Sequence, residues 1–142
     1  MSIDGAKAVV LRFNRDVIER GDRDAFEALM APTFINRSAP PGAPSDGESM
    51  WSTFDQVLRP AIAGLTVTIH DQIAEGDKVT TRKTISGTHD GPLLGVEPTG
   101  KPIRIDVIDI VRVRDGRYAE HWGINNLPTV LAGLHRGGPS DE

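Results

Sequence analysis

Apolar and polar positions change period near the middle of the chain, which divides it into a helical half and a stranded half. Val9, Val10, Phe13 and Val17 recur at helical spacing. Asp4 stands where it can cap that helix, and Gly21 where it can end it. A short second helix is expected through Phe26, Leu29 and Met30, capped by Asp22 or Asp24 and ended by Pro32. The stretch 36–47, with Pro40, Pro41 and Pro44, reads as loop. Met50, Phe54, Val57, Leu58 and Ile62 mark a third helix, with a break expected near Arg59 because Pro60 follows it.

From Leu65 the period is two: Leu65, Val67 and Ile69 alternate with Thr66, Thr68 and His70. Strands are expected over 78–88 and 103–114, separated by a loop rich in glycine and proline. Asp115-Gly116 has the composition of a tight hairpin turn, and 118–125 returns from it. Leu127 to Leu134 reads as a last short helix with Pro128 near its first turn. Helices followed by a run of hairpins predict an α+β domain, a curved antiparallel sheet packed with N-terminal helices around a small-molecule cavity. One domain is expected over 1–134, with a polar tail at 135–142.

The strand 103–114 carries the most chemical information. One face reads Ile103, Ile105, Val107, Asp109, Val111, Val113, and alternation turns that face inward. A carboxylate in an aliphatic stripe is costly unless a partner holds it ionised or its pKa rises until it is protonated. A carboxyl group in an apolar cavity suits acid–base work; the competing role is an ion pair with a core arginine that only fixes the sheet. His121 shares a face with Ala119, Gly123 and Asn125, and beside Asp109 it makes a proton-handling pair; otherwise it is a satisfied or surface histidine. The face Thr80, Arg82, Thr84, Ser86, Thr88 is polar throughout, and periodicity leaves open whether it meets solvent or walls a polar pocket. Ile108, Ile110, Trp122 and Ile124 form an outer apolar patch, and a homodimer through the sheet is the simplest way to cover it.

Composition narrows the partners. The chain has 142 residues, a net charge of −4 and scattered Lys and Arg, so no basic stripe invites nucleic acid. There is no cysteine, and His70, His89 and His121 lack the spacing of a metal site, so no metal is inferred. No apolar run reaches the length of a membrane span and the first residues do not read as a secretory signal, so a cytoplasmic location is expected.

The segments Gly76 to Arg82, Gly87 to Gly91, Pro98 to Lys101, Asp115-Gly116 and Glu120 to Trp122 together resemble the SnoaL-like polyketide cyclases and predicted ester cyclases. These belong to the nuclear transport factor 2-like superfamily of cone-shaped α+β barrels. The resemblance implies a cofactor-free cyclase, isomerase or hydrolase acting on a hydrophobic carbonyl or epoxide compound. It places Asp109 and Asn36 at family site positions and favours Arg82 inside the cavity, pairing with Asp109 or with an anionic substrate group. The family's catalytic aspartate falls at Gly123, so the expected acid/base is Asp109 with His121 as relay. Asn36 and Asn125 are the expected hydrogen-bond donors to an oxyanion, and Phe13 and Trp51 complete the expected substrate-binding set. The alternative is a non-catalytic small-molecule-binding module with Asp109 in a structural ion pair.

Overall fold

A computed structural model describes residues 3–135. Helix α1 (Ile3–Arg12) runs on as a π-helical segment, Phe13–Glu19, whose wider turn buries the adjacent residues Phe13 and Asn14 together. Gly21, at φ +68°, ends it. Asp22 caps α2 (Arg23–Leu29) by accepting the Ala25 N–H at 3.1 Å. Strand β1 (Met30–Asn36) follows directly, where a helix was expected through Met30 to its end at Pro32 and no strand was expected before the loop 36–47. Asp46 caps α3 (Gly47–Ser52), which continues through π-helical Thr53–Leu58 into the short turn α4 (Arg59–Ala61). Pro60 sits at the start of that turn, and the irregularity expected there takes the form of the π-helical stretch before it.

The stranded half contains β2 (Ile62–Glu75), β3 (Lys78–His89), β4 (Pro102–Arg114) and β5 (Arg117–Asn125), closed by α5 (Leu127–His135). The sheet order is β1-β5-β4-β3-β2. Its hairpin strands are antiparallel, while β1 joins the edge parallel to β5, so the sheet is mixed. The sheet is open and curved, with register shifts in β2–β3 and β4–β5 that bend it. Asp115 and Gly116 both have positive φ, 52° and 75°, as a type I′ two-residue hairpin requires. Of the expected tail, only His135 is among the described residues, and it ends α5.

The inner face of the sheet meets the helices in two apolar clusters. One gathers Val10, Phe13, Val17, Ile18, Phe26 and Leu29 against Val79, Val111, Val113 and Tyr118. The other gathers Leu58, Ala61 and Ile62 against Ile85, Ile103, Ile105 and Leu134, with Leu93 and Val96 folded in from the 90–101 loop. That loop is held by buried His89, whose Nδ1 accepts the Thr99 backbone N–H at 3.2 Å. Asp109 lies on β4 between the Val111 end of one cluster and the Ile105 end of the other. Among the described residues no helix is long and apolar enough to cross a membrane.

Candidate active site

The alternation that turns Val107 and Val111 inward does the same for Asp109, which is 5% exposed. Across β3 its direct neighbour is Thr81, and Lys83 lies on the diagonal. Across β5 its direct neighbour is Gly123, with His121 on the other diagonal. Lys83 Nζ and His121 Nε2 each stand 3.3 Å from the same Asp109 oxygen, Oδ2. Asp109 Oδ1 is buried without a hydrogen-bond partner.

Two asparagines fix the outer ends of this chain of contacts. The Asn14 amide donates to the Val10 carbonyl at 2.9 Å, which leaves its Oδ1 to accept from Lys83 Nζ at 2.7 Å. The Asn36 Oδ1 accepts the Ser38 backbone N–H at 3.1 Å and faces His121 Nδ1 at 3.0 Å. A backbone N–H only donates, so that oxygen is fixed as an acceptor and His121 Nδ1 must carry hydrogen. His121 Nε2 then faces a carboxylate oxygen. The ring nitrogen and the carboxyl oxygen thus stand 3.3 Å apart, within reach of a proton passing between them.

Burial pushes the Asp109 carboxyl up, but the Lys83 ammonium and then His121 outweigh it and hold the group below its ordinary value. Burial, with the charge on Asp109, raises the Tyr118 phenol well above its usual value. Both clusters contribute walls to a cavity of about 370 Å³ over the pair, within the range of small-molecule sites. Its apolar lining includes Met50, Phe54, Val57, Leu58, Ile85, Ile105 and Val107. Its polar lining is Asn36, Ser38, Thr53, Lys83, Asp109, His121 and Asn125. Among the described residues no three carboxylate or imidazole groups converge as metal ligands.

The fold brings together Asp109, His121, Asn36 and Asn125 from the expected set. Arg82 is corrected: it projects from the opposite face of β3 and pairs with Asp71 at 2.7 Å, with its side chain 54% exposed. Lys83, next in sequence, occupies the inward place. Phe13 and Trp51 are also corrected, because neither lines the cavity. Phe13 is core, stacked on Tyr118 with ring centroids 4.0 Å apart. Trp51 packs on Phe26 at 5.1 Å and under the guanidinium groups of Arg23 and Arg59. Sequence reasoning missed Lys83 and Asn14; a lysine in phase with Val79, Thr81 and Ile85 was the available signal.

Gly123 is part of the geometry. A Cβ there would lie 2.8 Å from His121 Cε1, 3.1 Å from Nε2 and 3.4 Å from the Asp109 Cβ. The imidazole therefore occupies the space that a side chain at position 123 would need. The bare strand lets His121 lean over it to reach Asp109.

The comparisons agree with this architecture. TsrD from Streptomyces laurentii is 25% identical, with 94% of this chain and 97% of that one covered at a TM-score of 0.82. IdmH from Streptomyces antibioticus is 30% identical, with coverage of 92% and 98% at a TM-score of 0.80. A Mycobacterium tuberculosis LEH-like epoxide hydrolase, 18% identical with coverage of 95% and 92% at a TM-score of 0.70, shares the fold. No curated protein sequence matches. The family model described as SnoaL-like polyketide cyclase matches residues 8–134, which takes in every strand and every residue of the Lys83–Asp109–His121 cluster. On that match and that fold, the chain belongs to the SnoaL-like polyketide cyclase family.

Proposed function

We propose that this protein is a cofactor-independent cyclase, isomerase or hydrolase that acts by proton transfer on a hydrophobic carbonyl or epoxide compound. The observation that carries the reading is the buried His121–Asp109 pair in the wall of an apolar cavity. The pair takes a proton from the substrate carbon or from water and delivers one to the carbonyl or epoxide oxygen as that oxygen gains negative charge. Asn36 and Asn125 each use Oδ1 as an acceptor within the protein, the latter for the Leu127 N–H at 2.9 Å, so both offer amide N–H groups to the oxyanion. Lys83 and Asn14 position Asp109 from behind.

Family membership supports a search among polyketide-like carbonyl compounds, with small epoxides as a second class. On a substrate so found, Asp109→Asn and His121→Gln should each lower turnover by roughly a hundredfold or more, since positioned acid–base groups contribute about 10²–10⁴. Circular dichroism checks that each variant is folded. Full activity in folded Asp109→Asn would overturn the assignment.

A second reading rests on the buried Lys83–Asp109 ion pair, whose depressed carboxyl is what a structural pair produces. In that case the cavity binds a small molecule without converting it. Ligand affinity in wild-type protein with no turnover across both substrate classes would select this reading. The same proposal includes a homodimer, paired through the outer face of the sheet.

A further inference from the structure

Lys83 holds more hydrogens than its protein partners take up, and it does so in the cavity wall. An ammonium group carries three hydrogens and accepts none. Asn14 Oδ1 takes one at 2.7 Å, and that oxygen is free to accept because the Asn14 amide donates to the Val10 carbonyl. Asp109 Oδ2, 3.3 Å away, supplies the counter-charge and is placed to take a second. Among the described residues Nζ has no third partner. The Lys83 side chain is 5% exposed, and a buried donor left without an acceptor is costly.

The placement of Lys83 says where the third acceptor comes from. Lys83 lines the cavity, whereas Asn14 does not. Its charge is already met by Asp109, so the missing partner needs a lone pair and no net charge. Lys83 is also the one lysine or arginine among the described residues lining the cavity, beside the neutral amides of Asn36 and Asn125. A charged donor binds an oxygen more strongly than a neutral one, and its hold tightens as the oxygen gains electron density. We infer that Lys83 touches the ligand itself: its third N–H holds the oxygen of an uncharged carbonyl compound whose apolar part lies against Phe54, Leu58 and Ile105. The inference rests on the reading that this cavity is the active site, and it gives one nitrogen two tasks, holding Asp109 and polarising the carbonyl.

Acetophenone and α-methylstyrene differ only in an oxygen for a methylene, and their binding by NMR titration at neutral pH tests this without reference to turnover. An apolar cavity alone would favour the hydrocarbon, yet wild-type protein should bind acetophenone roughly tenfold or more tightly. Lys83→Met should abolish that preference. Infrared spectra of acetophenone labelled at the carbonyl should show its stretch at lower frequency in wild-type protein than in Lys83→Met. Lys83→Met combined with Asp109→Asn supplies the comparison if the single change leaves too costly a buried carboxylate to fold. Asp109→Asn alone should keep both the preference and the low stretch, because the donor remains; loss of both there would show that Lys83 acts only through Asp109 and overturns the inference. So does equal or tighter binding of α-methylstyrene, acetophenone that fails to bind at about 5 mM, or a preference that survives in folded Lys83→Met. A failed preference beside turnover that still depends on Asp109 would reject the carbonyl contact and keep the acid–base proposal.

Discussion

Gly123 shows how one residue's missing side chain can make room for a neighbour's ring. A side chain at this position would have its Cβ 2.8 Å from the His121 ring. The two arrangements exclude one another: either position 123 carries a side chain, or His121 leans across it to reach Asp109. Gly123→Ala should therefore push the imidazole off Asp109 and lower kcat at least tenfold. Its stability cost should stay near 1 kcal/mol, because the atom met is on a side chain that can rotate. Steady-state kinetics beside a thermal melt checks both, and wild-type kcat in the variant would show that the ring's position over Gly123 is immaterial. Asp109 makes a second prediction. Its folded pKa lies below its unfolded one, so its stabilisation is complete above the ordinary carboxylate range, near pH 4. It is lost as pH falls through the lower folded value. Asp109→Asn should cost about 3 kcal/mol at neutral pH, as for a broken buried pair. Urea titrations from pH 6 to about pH 2 should show the gap between wild type and variant closing only below about pH 4.

Among the elements, those with one apolar and one polar face were legible from sequence, and those whose placement depends on distant partners were not. The period of two on β4 put Asp109 inward, and the Asp115-Gly116 turn joined β4 to β5 in a register that brings His121 alongside. On β3 both faces carry polar residues, Thr80 and Arg82 on one and Thr81 and Lys83 on the other. Periodicity cannot rank them there. What draws Lys83 inward is Asp109, 26 positions later, and Asn14, 69 positions earlier. Asn14 in turn reaches the core through the π-helical turn after α1, a feature with no sequence signature in the helical spacing used to find that helix. Strand β1 was hidden by Pro32, which ends α2-like periodicity but is tolerated on an edge strand. Its role was correspondingly invisible: β1 runs parallel to β5, sets Asn36 opposite His121, and thereby fixes the imidazole's hydrogen.

The molecule as a whole is a helical layer on one face of a sheet whose other face is left to solvent, and that asymmetry bears on assembly. The bare face presents Ile73 at 69% exposure and Ile108 at 45%, with Trp122 beside the cationic groups of Lys78 and Arg112. It also carries opposed charges already paired within one copy, Arg82 with Asp71 and Arg112 with Glu120. Such a surface, apolar at intervals and locally neutral, can meet a second copy of itself about a two-fold axis without stacking like charges. If it does, light scattering at micromolar concentration should give twice the chain mass. Ile73→Glu combined with Ile108→Glu should then return the monomer, since each would bury an unpaired carboxylate in the interface. Neither side chain lines the cavity over Asp109, so turnover that depends on Asp109 should be unchanged in the monomer. A wild-type protein that scatters as a monomer would remove the dimer and leave the site as described, because every group of the Asn14–Lys83–Asp109–His121–Asn36 cluster comes from one chain.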